Sequence, residues 1–376
     1  MTQKNNRKKI LLVTRPICPP WDEASKNFAY TLAKSIADFD FYLLTNDVVP
    51  NLPENIHQKL IYTSNGFSYL QKIRLIKYLR KIKNDFDILH YLFTPTKQNS
   101  FLIKKFAGHG KAKSIQTIAT LREDLFSREE IKKLMFGDII ITYSKYAKGT
   151  LEKMGFKNVE QIYPGIDLDL YSPAPKNISL MQQLGITFDD FVVVYPGEFT
   201  RLGNINNLIN KIIQYSNILN KNKIKIVLAF RVKNKKDFEK KEELKKILKE
   251  KKMESQILLP ETFTTMEKVY NLSNVVIFPV ENMKGKFDVP LAIIEAMACA
   301  KPVIISNIPI LHEFTNSQNS VKIEDGDPKK LMESVLNLYQ DKKRREAIGK
   351  NARKYVEENF DIKKIAEKYK QVYENL

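Results

Sequence analysis

Ten short apolar segments in two series constrain the fold of this sequence more than any other feature. The first series lies between residues 10 and 144 and the second between residues 191 and 306, and helical patterns separate the segments. Segments such as VVVY and PVII show no polar alternation and are rich in β-branched residues, which is typical of strands covered on both faces. Because strands that alternate with helices form parallel sheets, the sequence predicts an α/β fold with two Rossmann-like domains.

The boundary between the two series lies in IYPGIDLDLYSPAPKN, residues 162–177, which contains four Pro/Gly residues and few helix formers. We predict an N-terminal domain over residues 1–165 and a second domain over residues 166–355. We expect residues 356–376 to form a helix that packs back on the N-terminal domain. A chain of 376 residues is long enough for two cores.

Composition limits the classes of partner and compartment. The net charge is +19, and it is spread evenly, with 27 Lys/Arg against 17 Asp/Glu before residue 174 and 35 against 26 after it. This charge is compatible with an anionic membrane surface as a partner, and equally with a lysine-rich composition that has no function. Nucleic acid is not predicted as a partner, because the sequence contains no basic motif with interleaved aromatic residues. Cys18 and Cys299 suggest neither a disulfide framework nor a zinc site. Without about 18 consecutive apolar residues or a signal-peptide core, the protein is expected to be cytoplasmic or peripheral on the inner face of the membrane.

One segment, KFDVPLAIIEAMACAKPVIIS at residues 286–306, places a single carboxylate, Glu295, in an apolar helix that leads into a buried strand. Asp288 can cap this helix, and Pro290 stands where a first-turn proline is tolerated. The amides that would then be free to bind a phosphate belong to Val289, Leu291 and Ala292. The alternative is a core helix whose glutamate bonds to a neighbouring backbone group.

Four motifs in order along the chain carry a resemblance to a known family: IIITYSKYAKGTLEKMGF with QIYPGIDLDLYSP, VVVYPGEF, ETFTTMEKVYNLSNVVIFPV, and PLAIIEAMACAKPVIIS. Together they resemble glycosyltransferase family 4, over nearly the whole chain. The resemblance implies a GT-B fold, in which two Rossmann-like domains face each other across a cleft and C-terminal helices follow. It also implies a hexosyltransferase-like enzyme of glycan or cell envelope polysaccharide biosynthesis. Such an enzyme moves a sugar from a nucleoside diphosphate sugar to a glycan or lipid-linked acceptor, with retention of configuration, no cofactor and no obligatory metal.

The resemblance also assigns site residues. Glu295 would accept hydrogen bonds from the ribose hydroxyls, and the amides at the start of its helix would meet the diphosphate. The complete predicted donor site is Gly197, Arg201, Arg231, Thr262, Phe263, Lys286, Val289, Pro290, Leu291, Ala292 and Glu295. On the acceptor side the candidates are Trp21, which could equally serve packing, His90, whose alternative role is structural, and Ser144.

Departures from the family pattern leave the catalytic residues less defined. Phe287 stands where the family has a second glutamate, and Glu198 and Gly203 stand where it has phosphate-binding cations. Arg201, the only cation of the loop GEFTRLGN, and Asp288 are therefore the candidate catalytic residues. For Arg201 the alternative is a surface arginine, and for Asp288 it is the helix cap. These departures favour a second hypothesis, a degenerate, non-catalytic GT-B protein that binds nucleotide or supports a partner enzyme.

The segment QKIRLIKYLRKIK, residues 71–83, has six cations and no acid. Its residues Ile73, Ile76, Leu79 and Ile82 share about one face of a helix. A basic amphipathic helix in the acceptor domain suits an anionic membrane surface or a lipid-phosphate acceptor. The alternative is a helix whose apolar face packs on the sheet while its lysines lie in solvent.

Overall fold

The structure, a computed structural model, describes residues 7–19, 21, 23–82, 84–107, 110–199, 205–324 and 327–376. Contacts within the chain divide it into two compact units. The first comprises residues 1–165, 287–289 and 360–376, and the second comprises residues 166–286 and 290–359. This division differs from the predicted domains in two places: it assigns residues 287–289 to the first unit, and it separates the final segment at residue 360 rather than 356.

The first unit is built on a parallel sheet of seven strands in the order β3-β2-β1-β4-β5-β6-β7. The strands are β1 (Lys9–Val13), β2 (Asp40–Thr45), β3 (Ile56–Leu60), β4 (Ile88–Leu92), β5 (Lys113–Ile118), β6 (Ile139–Thr142) and β7 (Val159–Gln161). The helices of this unit are α1 (Ala24–Lys34), α2 (Tyr69–Ile82), α3 (Lys97–Leu102), α4 (Arg128–Leu134), α5 (Lys145–Lys153) and α14 (Ile362–Glu374), and a π-helical segment, Ile103–Ala107, follows α3.

The second unit contains a parallel sheet of six strands in the order β10-β9-β8-β11-β12-β13. The strands are β8 (Phe191–Glu198), β9 (Ile224–Arg231), β10 (Ile257–Leu258), β11 (Val275–Phe278), β12 (Val303–Ser306) and β13 (Ser320–Ile323). The helices are α6 (Ile178–Gln183), α7 (Ile205–Ile213), α8 (Ser216–Lys221), α9 (Lys235–Glu250), α10 (Met266–Leu272), α11 (Leu291–Ala298), α12 (Pro328–Gln340) and α13 (Lys342–Asn359).

In both sheets the first strand of the unit lies inside the sheet, and the strand order reverses beside it, between β1 and β4 and between β8 and β11. This is the doubly wound, Rossmann-type order, so the predicted fold class is confirmed. The central strands β4, β11 and β12 are buried along their whole length, and the Val/Ile runs of β11 and β12 predict this burial. In such sheets ligands bind at the carboxyl ends of the strands beside the switch point.

The last helix, α14, packs in the first unit through two fully buried tyrosines. Tyr373 contacts Phe39 and Phe41 edge-on, and Tyr369 contacts Phe28. None of the helices in the described part of the chain combines the length and the apolarity needed to cross a bilayer.

Helix α11 ends in a residue with an unusual backbone. Ala300 adopts a left-handed conformation with φ of 55°, its amide donates to the Met297 carbonyl, and the Lys301 amide donates to the Ala296 carbonyl. This pair of bonds is the Schellman termination, which normally uses glycine, so alanine costs roughly 1–2 kcal/mol here. The Ala300 carbonyl is also tightly packed, because a Cβ placed on Gly349 of α13 would lie 2.2 Å from its oxygen.

Candidate functional site

The carboxyl ends of β8 and β9 bring three charged groups of the second unit together. Glu198 and Arg231 occupy paired positions at the ends of these two strands and form an ion pair. Lys233 reaches the same carboxylate at 2.9 Å. Glu198, which stands where the family resemblance expects a cation, is thus held between two cations, and the group keeps a net positive charge beside the switch point.

Glu295 lies one helical turn into α11 and is partly buried. The Tyr270 hydroxyl donates to its Oε2 at 3.0 Å, and the Tyr171 hydroxyl lies within hydrogen-bonding reach of the same carboxylate. Burial raises the pKa of Glu295 to about 7, while the two tyrosine hydrogen bonds and the charge of Arg231 act in the opposite direction. A carboxylate whose pKa is raised by burial and opposed by the charge of a specific cation is a candidate for a functional site.

The start of α11 differs from the prediction. The helix begins at Leu291, its N-cap is Pro290, and no side chain caps it. The prediction that Asp288 caps the helix is therefore wrong, and Pro290 has no amide hydrogen to offer a ligand. Because the first amides of a helix have no intrahelical acceptor, those of Leu291 and Ala292 remain available to an anion one turn from Glu295.

Asp288 makes buried contacts within the first unit instead. The Ser144 hydroxyl donates to Asp288 Oδ2 at 2.5 Å, and the Asp288 amide donates to the Ala119 carbonyl at 3.1 Å. Ser144 also caps α5 by accepting from the Ala147 amide. The structure thus brings together a predicted catalytic residue and a predicted acceptor-side residue, and it gives Ser144 a structural role. A sugar-binding role for Asp288 stays a prediction.

The other predicted donor residues are spread around the second unit, except Val289, which is buried with residues 287–289 in the first unit. Gly197 pairs with Phe230 near the end of β8, and the Thr262 hydroxyl accepts from the Val232 amide. Phe263 is partly buried, and the Lys286 Nζ donates to the Asn282 carbonyl. Arg201 lies outside the described residues.

His90 is fully buried, and both of its ring nitrogens are engaged, Nδ1 with the Tyr373 hydroxyl at 2.8 Å and Nε2 with the Thr117 hydroxyl at 2.7 Å. Burial lowers its pKa to about 3, so the ring is neutral at physiological pH. The acceptor-side prediction for His90 is wrong, because the ring has no surface to offer a ligand. Trp21 is 41% exposed and stacks on Tyr30, so it combines a packing contact with an accessible edge.

Sequence reasoning missed the two tyrosines beside Glu295. Tyr270 lies on α10, inside the motif ETFTTMEKVYNLSNVVIFPV, and Tyr171 lies in the connection between the domains. No spacing in the sequence links either residue to Glu295, since 25 and 124 positions separate them. Among the described residues no cluster of three His, Cys, Asp or Glu side chains could hold a metal ion.

Comparisons with known proteins bear on the class of protein that this chain resembles. Residues 177–355 match the family model described as glycosyl transferases group 1. An uncharacterized glycosyltransferase of Methanocaldococcus jannaschii is 25% identical over 371 residues, which cover 92% of each chain. The capsular polysaccharide biosynthesis glycosyltransferase CapM of Staphylococcus aureus is 35% identical over 105 residues, 28% of this chain and 27% of CapM. Two of the curated relatives are matched over only about a quarter of their length, 22% and 27%.

The structure is similar to that of Anabaena Alr3699/HepE, which was crystallised in complex with UDP and glucose. The TM-score is 0.78 at 16% identity, with 98% of this chain and 100% of that chain covered. At this identity the likeness shows the fold alone, which is the predicted GT-B fold.

Proposed function

We propose that this protein is a glycosyltransferase that moves a sugar from a nucleoside diphosphate sugar to a glycan or lipid-linked acceptor. The observation that carries the proposal is the position of Glu295, one helical turn from the first amides of α11 and close enough to Arg231 for the charge of that arginine to act on it. A carboxylate accepts two vicinal hydroxyls, and a helix amino terminus with an arginine binds phosphate.

In the proposed reaction the departing diphosphate accumulates negative charge. The amides of Leu291 and Ala292 and the guanidinium of Arg231 then interact more strongly with the transition state than with the bound donor, which is the condition for catalysis. We propose retention of configuration without an obligatory metal, and the leaving phosphate accepts the proton of the acceptor hydroxyl. UDP is the first nucleotide to test because it is the one bound by Alr3699/HepE.

The test is a panel of UDP, GDP and ADP sugars. Saturation-transfer NMR identifies the donor that binds, and release of the nucleoside diphosphate with candidate acceptors measures turnover. Binding together with turnover supports the enzyme. Binding to the same pocket without turnover on any acceptor would favour the degenerate, non-catalytic alternative. No binding to any member of the panel would refute both hypotheses.

Helix α2 supports a proposal about the acceptor side. Leu75, Leu79 and Ile82 are buried in the core of the first unit, so the helix does pack on the sheet as the alternative interpretation stated. Of the four residues predicted to share an apolar face, Leu79 and Ile82 are buried and Ile76 packs against the same core, whereas Ile73 is 37% exposed. Also exposed on this helix are Tyr69 (62%), Leu70 (69%), Arg74, Lys77, Arg80 and Lys81.

The π-helical segment after α3 extends this surface. Its residues Ile103 and Ala107 lie in the same core as the buried face of α2. Phe101 and Phe106 are 55% and 40% exposed, and the Lys105 Nζ lies over both rings. Neither α2 nor residues 97–107 contain an acid. We propose that this basic aromatic surface, formed by the exposed side chains of α2 and residues 101–106, contacts an anionic membrane that carries a lipid-linked acceptor.

Vesicle flotation tests the membrane proposal. The protein should float with anionic vesicles at low salt, and not with neutral vesicles or at high salt, because Lys/Arg attraction to the surface is screened. Replacing Arg74, Lys77, Arg80 and Lys81 by Gln should abolish flotation. The matched control replaces four exposed lysines of α9, Lys235, Lys236, Lys245 and Lys246, by Gln. If both variants lose flotation equally, the net charge of the protein alone attracts it to the vesicles. If the wild type does not float with anionic vesicles, the basic aromatic surface does not bind membranes.

A further inference from the structure

We propose that Tyr171 and Tyr270 are positioning residues that hold the Glu295 carboxylate in the orientation in which it accepts the ribose hydroxyls of the donor. The inference rests on the proposed function, and it adds two residues to the donor site. It also makes the connection between the domains, to which Tyr171 belongs, a structural part of the nucleotide pocket.

The geometry around the carboxylate carries this inference. Tyr270 is fully buried, its hydroxyl donates to Glu295 Oε2 at 3.0 Å, and the Tyr171 hydroxyl reaches the same carboxylate. The two rings lie 6.3 Å apart and are inclined by 53°. A glutamate side chain has several rotamers of similar energy, so two donors on fixed rings select one of them before the ligand arrives.

Tyr171 is itself held in place by its backbone and by its neighbours. The Arg353 Nη1 donates to the carbonyls of Tyr171 and Ala298, both at 2.7 Å, and so fastens the connection to the end of α11. The Asn271 amide group donates to the Ser172 carbonyl at 2.9 Å and accepts from the Ala174 amide at 3.0 Å. Because Asn271 follows Tyr270 in the chain, the same turn of α10 fixes both tyrosines. The hydroxyls are therefore preorganised rather than recruited by the ligand.

The hydrogen-bonding capacity of the Glu295 carboxylate indicates how many acceptor positions remain for the ligand. An ionised carboxylate has about four acceptor positions, and the tyrosines use two of them. The other two suffice for two vicinal hydroxyls. The charged and titratable groups that act on the carboxylate from surrounding elements are Arg231 of β9, Glu267 of α10 and Cys299, which follows α11. Because the tyrosine hydrogen bonds lower the pKa of Glu295, loss of a hydroxyl raises it and favours the protonated form, which accepts fewer hydrogen bonds.

The experiment compares Tyr171→Phe and Tyr270→Phe with Tyr195→Phe. Tyr195 is a suitable control because it is fully buried in the same unit and its hydroxyl has no hydrogen-bond partner among the described residues. Isothermal titration calorimetry with the best binder among UDP, GDP and ADP, and with its 2′,3′-dideoxy analogue, is carried out between pH 6 and pH 9. The dideoxy compound keeps the base and the diphosphate but offers no hydroxyl to Glu295.

Each tyrosine variant should bind the ribose-containing nucleotide about tenfold more weakly, the range expected for hydrogen bonds to a charged group. It should bind the dideoxy analogue as the wild type does. As the pH is lowered from 9 to 6, its affinity for the ribose-containing nucleotide should begin to fall at a higher pH than the affinity of the wild type does. An equal loss for both nucleotides would show a general structural effect and overturn the inference, as would no loss at all. If the wild type binds no nucleoside diphosphate, the proposed function fails and the inference fails with it.

Discussion

Replacement of Glu295 by glutamine should make the protein more stable, and more so as the pH rises. In the folded protein the pKa of Glu295 is raised from 4.5 to about 7 by burial. Between these two values the folded state binds more protons than the unfolded state, so the free energy of unfolding falls as the pH rises through this window. Well above pH 7 the full cost of ionising the buried carboxylate applies. A pKa difference of this size corresponds to about 3 kcal/mol of unfolding free energy.

Glutamine has the same shape but remains neutral at every pH. At pH 5 the two proteins should unfold at similar temperatures, since Glu295 is then mostly protonated. At pH 8 Glu295→Gln should be more stable by about 2–3 kcal/mol, which raises the Tm by roughly 2–4 °C for each kcal/mol in a domain of 150–250 residues. The same substitution should weaken nucleotide binding, because glutamine has one acceptor oxygen where the carboxylate has two, and its NH2 group can only donate.

The assay is differential scanning calorimetry or urea unfolding at pH 5, 6, 7 and 8. Glu243→Gln is the control, because Glu243 lies exposed on α9 and undergoes the same change of charge. Only Glu295→Gln should show a stability difference that grows with pH. A difference that is constant from pH 5 to pH 8 would refute the conclusion that burial of an ionisable Glu295 destabilises the fold.

Four further substitutions probe the packing and the anion site. Leu291→Pro deletes one free amide at a position where a helix tolerates proline, so isothermal titration should show weaker diphosphate binding; unchanged affinity would argue against the helix-end contact. Arg231→Gln should weaken the same binding by about tenfold through loss of a charged hydrogen bond, and if it does not, Arg201 becomes the candidate cation. Gly349→Ala should lower the Tm, because its Cβ would lie 2.2 Å from a carbonyl oxygen. Gly149→Ala should raise the Tm slightly, because Gly149 lies in α5 with open space around the position of a Cβ. Equal shifts of the Tm in the two variants would contradict this packing.

Nine of the ten strands that the sequence revealed lie inside a sheet of the described structure, and the tenth, β10, lies at an edge. The sequence did not reveal β3, β7 and β13, which all lie at sheet edges and carry polar residues such as His57, Glu160 and Lys322. An edge strand is stabilised by pairing with its neighbour on one side only and needs no continuous apolar run. Its existence therefore depends on contacts that a local pattern does not contain.

The candidate site shows the same limit. Glu295 and the amide end of its helix are local in sequence, and the helical period predicts their spacing. The partners of that carboxylate come from β9, α10 and the connection, and only the fold brings Arg231, Tyr270 and Tyr171 to it. His90 shows a further limit, because the local sequence left an acceptor-side role open, whereas in the structure His90 lies inside β4 and Tyr373 packs against its buried ring.

The most direct test of the central claim is nucleotide binding by the wild type and by Glu295→Ala, measured by isothermal titration calorimetry with UDP, GDP and ADP at pH 8. The proposed site predicts that the wild type binds at least one of them and that Glu295→Ala loses most of that affinity. The dideoxy analogue should bind equally to both proteins. If Glu295→Ala binds the ribose nucleotide as tightly as the wild type does, Glu295 is not the ribose-binding group and the assignment of the donor site is wrong.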